Sequence, residues 1–137
     1  LLDLPGLGDV TVVGTAPGAE GDFVDTFNEM FAEQVGDGSG PYRGESYDAA
    51  ALMIMAMQKA GSAERGAIAD NVMDLANAPG EEIGPGELGK ALEMIANEEE
   101  IDYVGATNVE FTDVGEAAGT YRVLEVSDGE WNTREVK

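Results

Sequence analysis

Side chains of mixed character stand together just before the most apolar stretch of the sequence: Tyr42, Arg43, Glu45 and Tyr47. They offer aromatic faces, a cation and an anion, and Ser46 between them is included as a candidate ligand-binding residue. Such a group can hold a zwitterion, because a helix N-terminus offers donors to a carboxylate while an acidic side chain accepts an ammonium. The alternative interpretation is a packed helix start, capped by Glu45 or Ser46.

Catalytic chemistry has little support in the sequence, which contains neither cysteine nor histidine. This absence excludes thiolate or imidazole zinc sites, Cys-His nucleophiles and Ser-His-Asp triads from the chain. Glu45 with Asp48, or Asp113 with Glu116, could form an acid–base pair, but abundant acids produce such pairs by chance. Asp48 is interpreted as a first-turn acid that supports its helix. We predict that the chain is not an enzyme and needs no cofactor.

Two further segments match ligand-binding motifs only in part. Gly84–Gly89 matches the letters of the dinucleotide fingerprint, but we expect neither a strand before it nor a βαβ unit around it. It is predicted to be a loop and helix start, with Pro85 near the first helical position. The acidic run 98–102 lacks the glycine and the spacing of a calcium loop, so we predict a solvated helix end and no metal site.

The charge balance bears on partners. Twenty-eight acidic residues against seven basic ones give a formal charge of -21. This charge repels phosphate backbones and anionic lipids, so no nucleic acid partner is predicted. A solvated acidic surface suited to a salty environment is the favoured interpretation, and a basic protein partner is the alternative. The longest apolar run, from Ala49 to Met57, is far shorter than the roughly 20 residues needed to span a bilayer.

The elements that must position these residues are mostly helical. Hydrophobic periodicity, caps and breakers predict a short strand and then four helices. The strand comprises Val10–Val13 and is followed by a loop over 14–19; the helices are an aromatic-faced helix over 22–35, an apolar helix from Tyr47 to Met57 buried on several sides, a helix capped by Ser62, and a helix from about Pro85 to Asn97.

The last third of the sequence changes to strand-forming composition. Alternation over Asn108–Thr112 and the β-branched and aromatic run Thr120–Val126 predict strands, and Asp128–Gly129 is a hairpin turn signal. Trp131 and Val136 belong to the returning strand. The chain is therefore predicted to be of mixed α/β class, with a helical middle and a β-hairpin tail.

Several short segments occur in an order known from one protein family. They are Gly14–Pro17, the aromatic helix ending near Gly36, Gly40–Tyr42, Ser46–Ala50 leading to Ala60–Ser62, Ile101–Ala106 with Val109–Phe111 and Gly115, and Tyr121–Val123 with Asp128–Trp131. In this order and spacing the chain resembles the C-terminal part of type I periplasmic substrate-binding proteins, those of branched-chain amino acid ABC importers.

The resemblance implies a two-lobed fold whose ligand lies in the cleft between lobes and whose lobes close by a hinge. Residues 1–110, a short strand plus helices, would belong to the first lobe. Residues 111–137 would form the hairpin that returns to the second lobe. Val13, Gly14 and Thr15 would lie near one hinge strand, and Phe111 and Thr112 near another.

The function implied by the resemblance is capture of a small amino acid or related polar metabolite and its delivery to a membrane permease. The location implied is periplasmic or extracellular. A sensory or regulatory ligand-binding domain of a receptor is one alternative, and an acidic protein-interaction domain is another. Family members are more than twice this length, so we expect a fragment that associates with the missing N-terminal part of the same protein or with another copy of the chain.

Overall fold

The structure is a computed structural model of the 137-residue chain and describes residues 11–36, 42–77, 79–127 and 130–137. The chain divides into two compact units. Unit 1 comprises Leu1–Ala19 and Gly119–Lys137, and unit 2 comprises Glu20–Ala118. The described residues form four α-helices, a short 3-10 helix and five strands. These are β1 Val13–Pro17, α1 Asp22–Val35, α2 Arg43–Ala60, α3 Arg65–Val72, the 3-10 helix Met73–Leu75, β2 Glu81–Ile83, α4 Leu88–Ala96, β3 Ile101–Tyr103, β4 Tyr121–Ser127 and β5 Glu130–Val136.

Helix α2 is the centre of unit 2. One of its faces is fully buried, and Met55 and Ala56 on that face have no exposed surface. The core around it is completed by residues of the following elements, including Leu75, Ile83 and Tyr103. The prediction that α2 is buried on several sides was wrong, because its opposite face leaves Met53 49% and Ile54 41% exposed. The helix is apolar on both faces, but among the described residues only one face has a layer packed on it.

A parallel strand pair lies beside this helix. Strand β2 pairs with β3 in the register Glu81↔Ile101 to Ile83↔Tyr103, and α4 connects them. The sequence prediction that no strand precedes Gly84 and that no βαβ unit surrounds it was therefore wrong. Each strand has only three residues, which is too short for an alternating pattern to be detected.

Unit 1 is an antiparallel sheet in the order β1-β4-β5. The predicted hairpin strands correspond to β4 and β5, while the predicted turn Asp128–Gly129 lies outside the described residues. Strand β1 begins at Val13, so the predicted loop after residue 14 is in its first part a strand that pairs with β4. The predicted strand over Asn108–Thr112 is wrong, since only an isolated bridge joins Phe111 to Ala117.

Helices α2, α3 and α4 differ from the predictions at their N-termini. Helix α2 starts at Arg43, so neither Glu45 nor Ser46 is its cap, and the Ser46 hydroxyl donates to the carbonyl of Tyr42 at 2.7 Å. The Ser62 hydroxyl accepts a bond from the N–H of Glu64, which is the N-cap of α3. In α4 the first helical residue is Leu88 and not Pro85, because Gly86 adopts φ +83 between them.

The grouping of β1 differs from the predicted organisation. Residues 1–110 were expected to combine the first strand with the helices, whereas β1 shares a sheet with the C-terminal hairpin. The chain passes between its two units after Ala19 and after Ala118. The assignment of residues 1–110 and 111–137 to the lobes of a larger protein stays a prediction.

Candidate functional site

The candidate site lies at the carboxyl edge of the β2–β3 pair. The strands are parallel, so the loops that follow Ile83 and Tyr103 leave from the same edge. The two loops are joined there, because the N–H groups of Val104 and Gly105 both lie 3.1 Å from the carbonyl of Ile83. Ligands of open α/β sheets bind in the crevice outside the carboxyl ends of the strands. This edge is therefore where a ligand of unit 2 is expected to bind.

A buried carboxylate ties α2 to this edge. Asp48 is 2% exposed, and its Oδ1 accepts hydrogen bonds of 2.8 Å from the Tyr103 hydroxyl and from the N–H of Ala106. Its Oδ2 accepts a 2.6 Å bond from the hydroxyl of Thr107. Buried polar atoms need such partners, and among the described residues no buried side-chain polar atom lacks one. The network fixes the loop after β3 against the second turn of α2.

The electrostatics of this network follow from burial. Loss of solvation raises the pKa of Asp48, while the bonds from Ala106, Thr107 and Tyr103 oppose that rise. The pKa of Tyr103 is raised well above its ordinary value of 10.0, first by burial and then by the adjacent Asp48 carboxylate. Tyr103 therefore stays protonated in the fold and remains a hydrogen-bond donor to Asp48.

This pKa shift predicts a loss of stability in base. Above pH 10 an unfolded tyrosine ionises while folded Tyr103 does not, so its contribution is complete below pH 10 and declines as the pH rises further. Tyr103→Phe should lower the free energy of unfolding at pH 7 by about 1 kcal/mol. It should also reduce the slope of stability against pH between pH 10 and 11, measured by urea unfolding. An unchanged slope would contradict this assignment.

Two glycines permit the close approach of α2 and the loop. Gly105 has φ +62, and a Cβ there would lie 2.7 Å from Cε1 of Tyr103 and closer still to the Asp48 carboxylate. On the helix, a Cβ at Gly44 would lie 2.7 Å from Cγ2 of Thr107. Any larger residue would push the loop away from Asp48. Neither glycine was predicted from the sequence to have a role.

The predicted cluster is partly engaged with α1. The Tyr47 ring lies 5.4 Å from that of Phe27, and the Tyr47 hydroxyl accepts a 2.8 Å bond from the N–H of Gly86. The guanidinium of Arg43 stacks over the Phe31 ring at 5.0 Å, in cation–π contact. Its Nη2 lies 3.5 Å from Oδ1 of Asn28. Tyr47 and Arg43 thus connect α1, α2 and the loop after β2.

The other predicted ligand residues are more open to solvent. Tyr42 is 60% exposed and adopts φ +66 at the start of α2. Ser46 is exposed and Glu45 is half-buried. Tyr42 is thus the N-cap residue of α2, and the other four candidates lie on the first two turns of the helix. Their role in ligand binding stays a prediction.

The glycine-rich loop after β2 has its donors occupied. The carboxylate of Glu87 accepts a 2.8 Å hydrogen bond from the N–H of Gly84. The hydroxyl of Tyr47 accepts a hydrogen bond from the N–H of Gly86. Pro85 between them has no N–H. A phosphate placed at Gly84 or Gly86 would meet the Glu87 carboxylate, and the N–H groups of both glycines are already bonded, although a strand and a helix flank the loop as in nucleotide sites. The geometry therefore gives no support to nucleotide binding.

The acidic run 98–102 and the pocket that its glutamates border do not add to this site. Within the described ranges no three carboxylates form a metal-ligating group. The exposed side chains of Glu98–Glu100 border a pocket of about 550 Å³ at the opposite, amino-terminal end of the strands, together with Lys59, which pairs with Asp74. No helix in the described part of the chain is long and apolar enough to span a membrane.

The predicted hinge residues lie on either side of the chain crossings. Strand β1 contains Val13, Gly14 and Thr15. A Cβ atom built on Gly14 would lie 3.6 Å from the indole ring of Trp131. Phe111 packs against the core of unit 2, and Asn77 holds its backbone by bonds of 2.7 and 2.9 Å. Thr112 follows in an exposed turn. The hinge role of these residues stays a prediction.

Comparison with known proteins gives two matches and no matching family model. The chain is 33% identical over 97 residues to the chemotactic signal transduction system substrate-binding protein BasB of Halobacterium salinarum, in an alignment covering 70% of this chain and 24% of that protein. It superposes on a leucine-binding protein, LivK of Thermotoga maritima, with a TM-score of 0.62, 18% identity and coverage of 96% of this chain. The matched region is 32% of LivK.

These findings confirm the predicted fold. The chain has the mixed α/β architecture of part of a periplasmic-binding-protein fold, and its predicted resemblance to type I substrate-binding proteins is confirmed. Both matched proteins are named as binding proteins. The chain spans about a quarter of the one and a third of the other.

Proposed function

We propose that this chain is part of an extracytoplasmic solute-binding protein that captures a small amino acid or related polar metabolite. The observation that carries the proposal is the similarity to a substrate-binding protein at 33% identity, together with a shared fold over 96% of the chain. The solute would bind in the cleft between two lobes, with part of its contacts at the carboxyl edge of β2 and β3. Binding without chemistry is the proposed activity.

The first turns of α2 would supply contacts to the solute. Glu45 is half-buried and would accept the ammonium group, while Arg43, fixed over the Phe31 ring, would contact the carboxylate. Tyr42 and Tyr47 would contribute aromatic surface, and Ser46 a hydroxyl. Residues outside this chain would complete the pocket, since the matched proteins are several times longer.

A thermal-shift titration of the full-length protein with leucine, isoleucine, valine and short amides tests this proposal. A solute at 100 times its dissociation constant should stabilise the protein by about 2.7 kcal/mol. Glu45→Gln should weaken the binding of that solute about tenfold, because it removes a charged acceptor. Glu116→Gln, an exposed acid in the turn after Phe111, is the matched control and should leave affinity unchanged. Absence of a shift with every solute would refute the proposal.

The destination of the solute-loaded protein has two candidates. Delivery to the permease of an ABC importer was predicted from the sequence, and delivery to a receptor is favoured by the chemotactic role in the name of BasB. Deletion of the gene separates them. Loss of uptake of labelled solute with intact chemotaxis supports the importer, and the reverse result supports the receptor.

We also propose that the chain packs against the missing N-terminal part of the same protein or against another copy. The uncovered face of α2, with Met53 and Ile54, supports this association because it carries no charge in an otherwise strongly acidic chain. Sequestering such a face removes apolar surface from water.

A further inference from the structure

The segment that follows β3, residues 104–110, is here called the β3 loop. It is closed by its own backbone, since the N–H of Val109 donates to the carbonyl of Val104 at 2.8 Å. Ala106 and Thr107 in this loop donate to Asp48. One side of the loop is thus fixed to the helix that carries the candidate solute residues.

The other side of the β3 loop is bonded to both ends of unit 2. Nδ2 of Asn108 donates to the carbonyl of Glu20 at 3.1 Å. The N–H of Ala118 donates to the carbonyl of Glu110 at 2.8 Å. Glu20 and Ala118 are the first and last residues of unit 2, so the chain enters and leaves the unit at points bonded to this loop.

The backbone at Asn108 is adapted to this contact. Its φ of +53 lies in the left-handed region, which asparagine tolerates better than most residues. This conformation reverses the direction of the chain at Asn108, so that Thr107 bonds Asp48 while the next residue, Asn108, bonds Glu20. A single closed loop therefore contacts the solute-facing helix on one side and both chain crossings on the other.

We infer that the β3 loop couples solute binding to the two chain crossings, and that Asp48 and Asn108 are positioning residues that act without touching solute. This inference rests on the proposed function. A solute that binds at α2 favours one position of the helix. Because Ala106 and Thr107 are bonded to Asp48, the β3 loop moves with the helix. The Asn108 and Glu110 bonds then bias the crossings, so the affinity depends on contacts at Glu20.

The test is Asn108→Gly in the complete gene product. Glycine accepts the left-handed backbone and removes only the side-chain bond to Glu20. We expect affinity for the solute that stabilises the parent protein to fall about three- to tenfold. Amide hydrogen exchange at Asp25, whose N–H donates to the carbonyl of Gly21 at 3.0 Å beside the Glu20 contact, should accelerate, even without solute. The melting temperature without solute should change little. Asn71→Ala is the matched control, because Asn71 also donates one bond to a backbone carbonyl, that of Ala67 at 2.8 Å.

The outcomes separate this inference from the proposed function. If Asn108→Gly binds solute as tightly as Asn71→Ala and its Asp25 amide exchanges at the parental rate, the coupling is refuted. If the parent protein binds none of the solutes, the proposed function fails. Exchange at the Asp25 amide then still decides whether Asn108 fixes the chain at Glu20: acceleration supports the contact, and an unchanged rate refutes it.

Discussion

Substitution of Asp48 by alanine is expected to lower the free energy of unfolding by about 3–5 kcal/mol. The reason is that three donors converge on this carboxylate in a site that is 2% exposed. Alanine would leave the Tyr103 hydroxyl, the Ala106 N–H and the Thr107 hydroxyl without an acceptor, and each buried unpaired group costs about 1–3 kcal/mol. Urea unfolding followed by circular dichroism measures the change.

Asp48→Asn is the matched control, because it keeps the shape and one acceptor oxygen. That oxygen can serve Tyr103 and Ala106, and the amide can donate to the Thr107 hydroxyl, which rotates to accept. We expect a change of less than about 1 kcal/mol at pH 7, since the buried charge is removed with its partners kept. A loss equal to that of Asp48→Ala would show that the charge itself is required.

The pH dependence of these variants has a definite sign. The pKa of Asp48 is raised in the fold, so the folded state holds the proton more tightly than the unfolded state does. Its contribution is complete below the ordinary value of 3.8 and is lost as the pH rises through the folded pKa. The free energy of unfolding of the wild type should therefore increase relative to that of Asp48→Asn as the pH falls from neutral toward 4.

The second large expected effect is on salt dependence. A formal charge of -21 on 137 residues should make the fold unstable in dilute buffer, because the carboxylates repel one another. Asp102 illustrates the crowding: burial, and then the neighbouring carboxylates of Glu82 and Glu110, raise its pKa. Raising KCl from about 0.1 to 2 M shortens the Debye length from about 10 Å to below 3 Å, so the melting temperature should rise by on the order of 10 °C.

Sucrose provides the control for this experiment. It is excluded from protein surfaces and stabilises folds without screening charge, so at equal osmolality it should give a smaller rise. The ion pairs of the chain, such as Lys90 with Glu81 at 2.6 Å, are exposed and would lose little on screening. A melting temperature that is the same in 0.1 M and 2 M KCl would contradict the repulsion account.

The long helices could be predicted from the sequence because their periodicity extends over several turns. Helix α1 has the predicted limits, Asp22 to Val35. The strands of unit 2 could not be predicted, since three-residue strands are stabilised by tertiary packing of Ile83 and Tyr103 and leave no local pattern. Because β2 was not predicted, the expectation that no βαβ unit surrounds the glycine-rich loop was also wrong.

The candidate site could be predicted only in part. The residue types before the apolar helix located the cluster on α2, but its contacts depend on α1 and on two loops distant in sequence. Asp48 was misread as a first-turn acid supporting the helix. The spacing of residues indicates that Asp48 is buried, because it lies on the same helical stripe as the buried residues Gly44, Ala51 and Met55. A carboxylate on a core stripe indicates buried partners.

The arrangement of unit 1 has a consequence for the order of folding. Unit 2 is one continuous stretch of chain, whereas the β1–β4 pairing joins Val13 to Glu125, near opposite ends of the sequence. Contacts of such long sequence separation form slowly because the intervening loop must close first. During synthesis, α1 to β3 would be complete before Tyr121 is added, and β1 would wait unpaired until then. Unit 2 is therefore expected to act as the folding nucleus that brings the two ends of the sheet together.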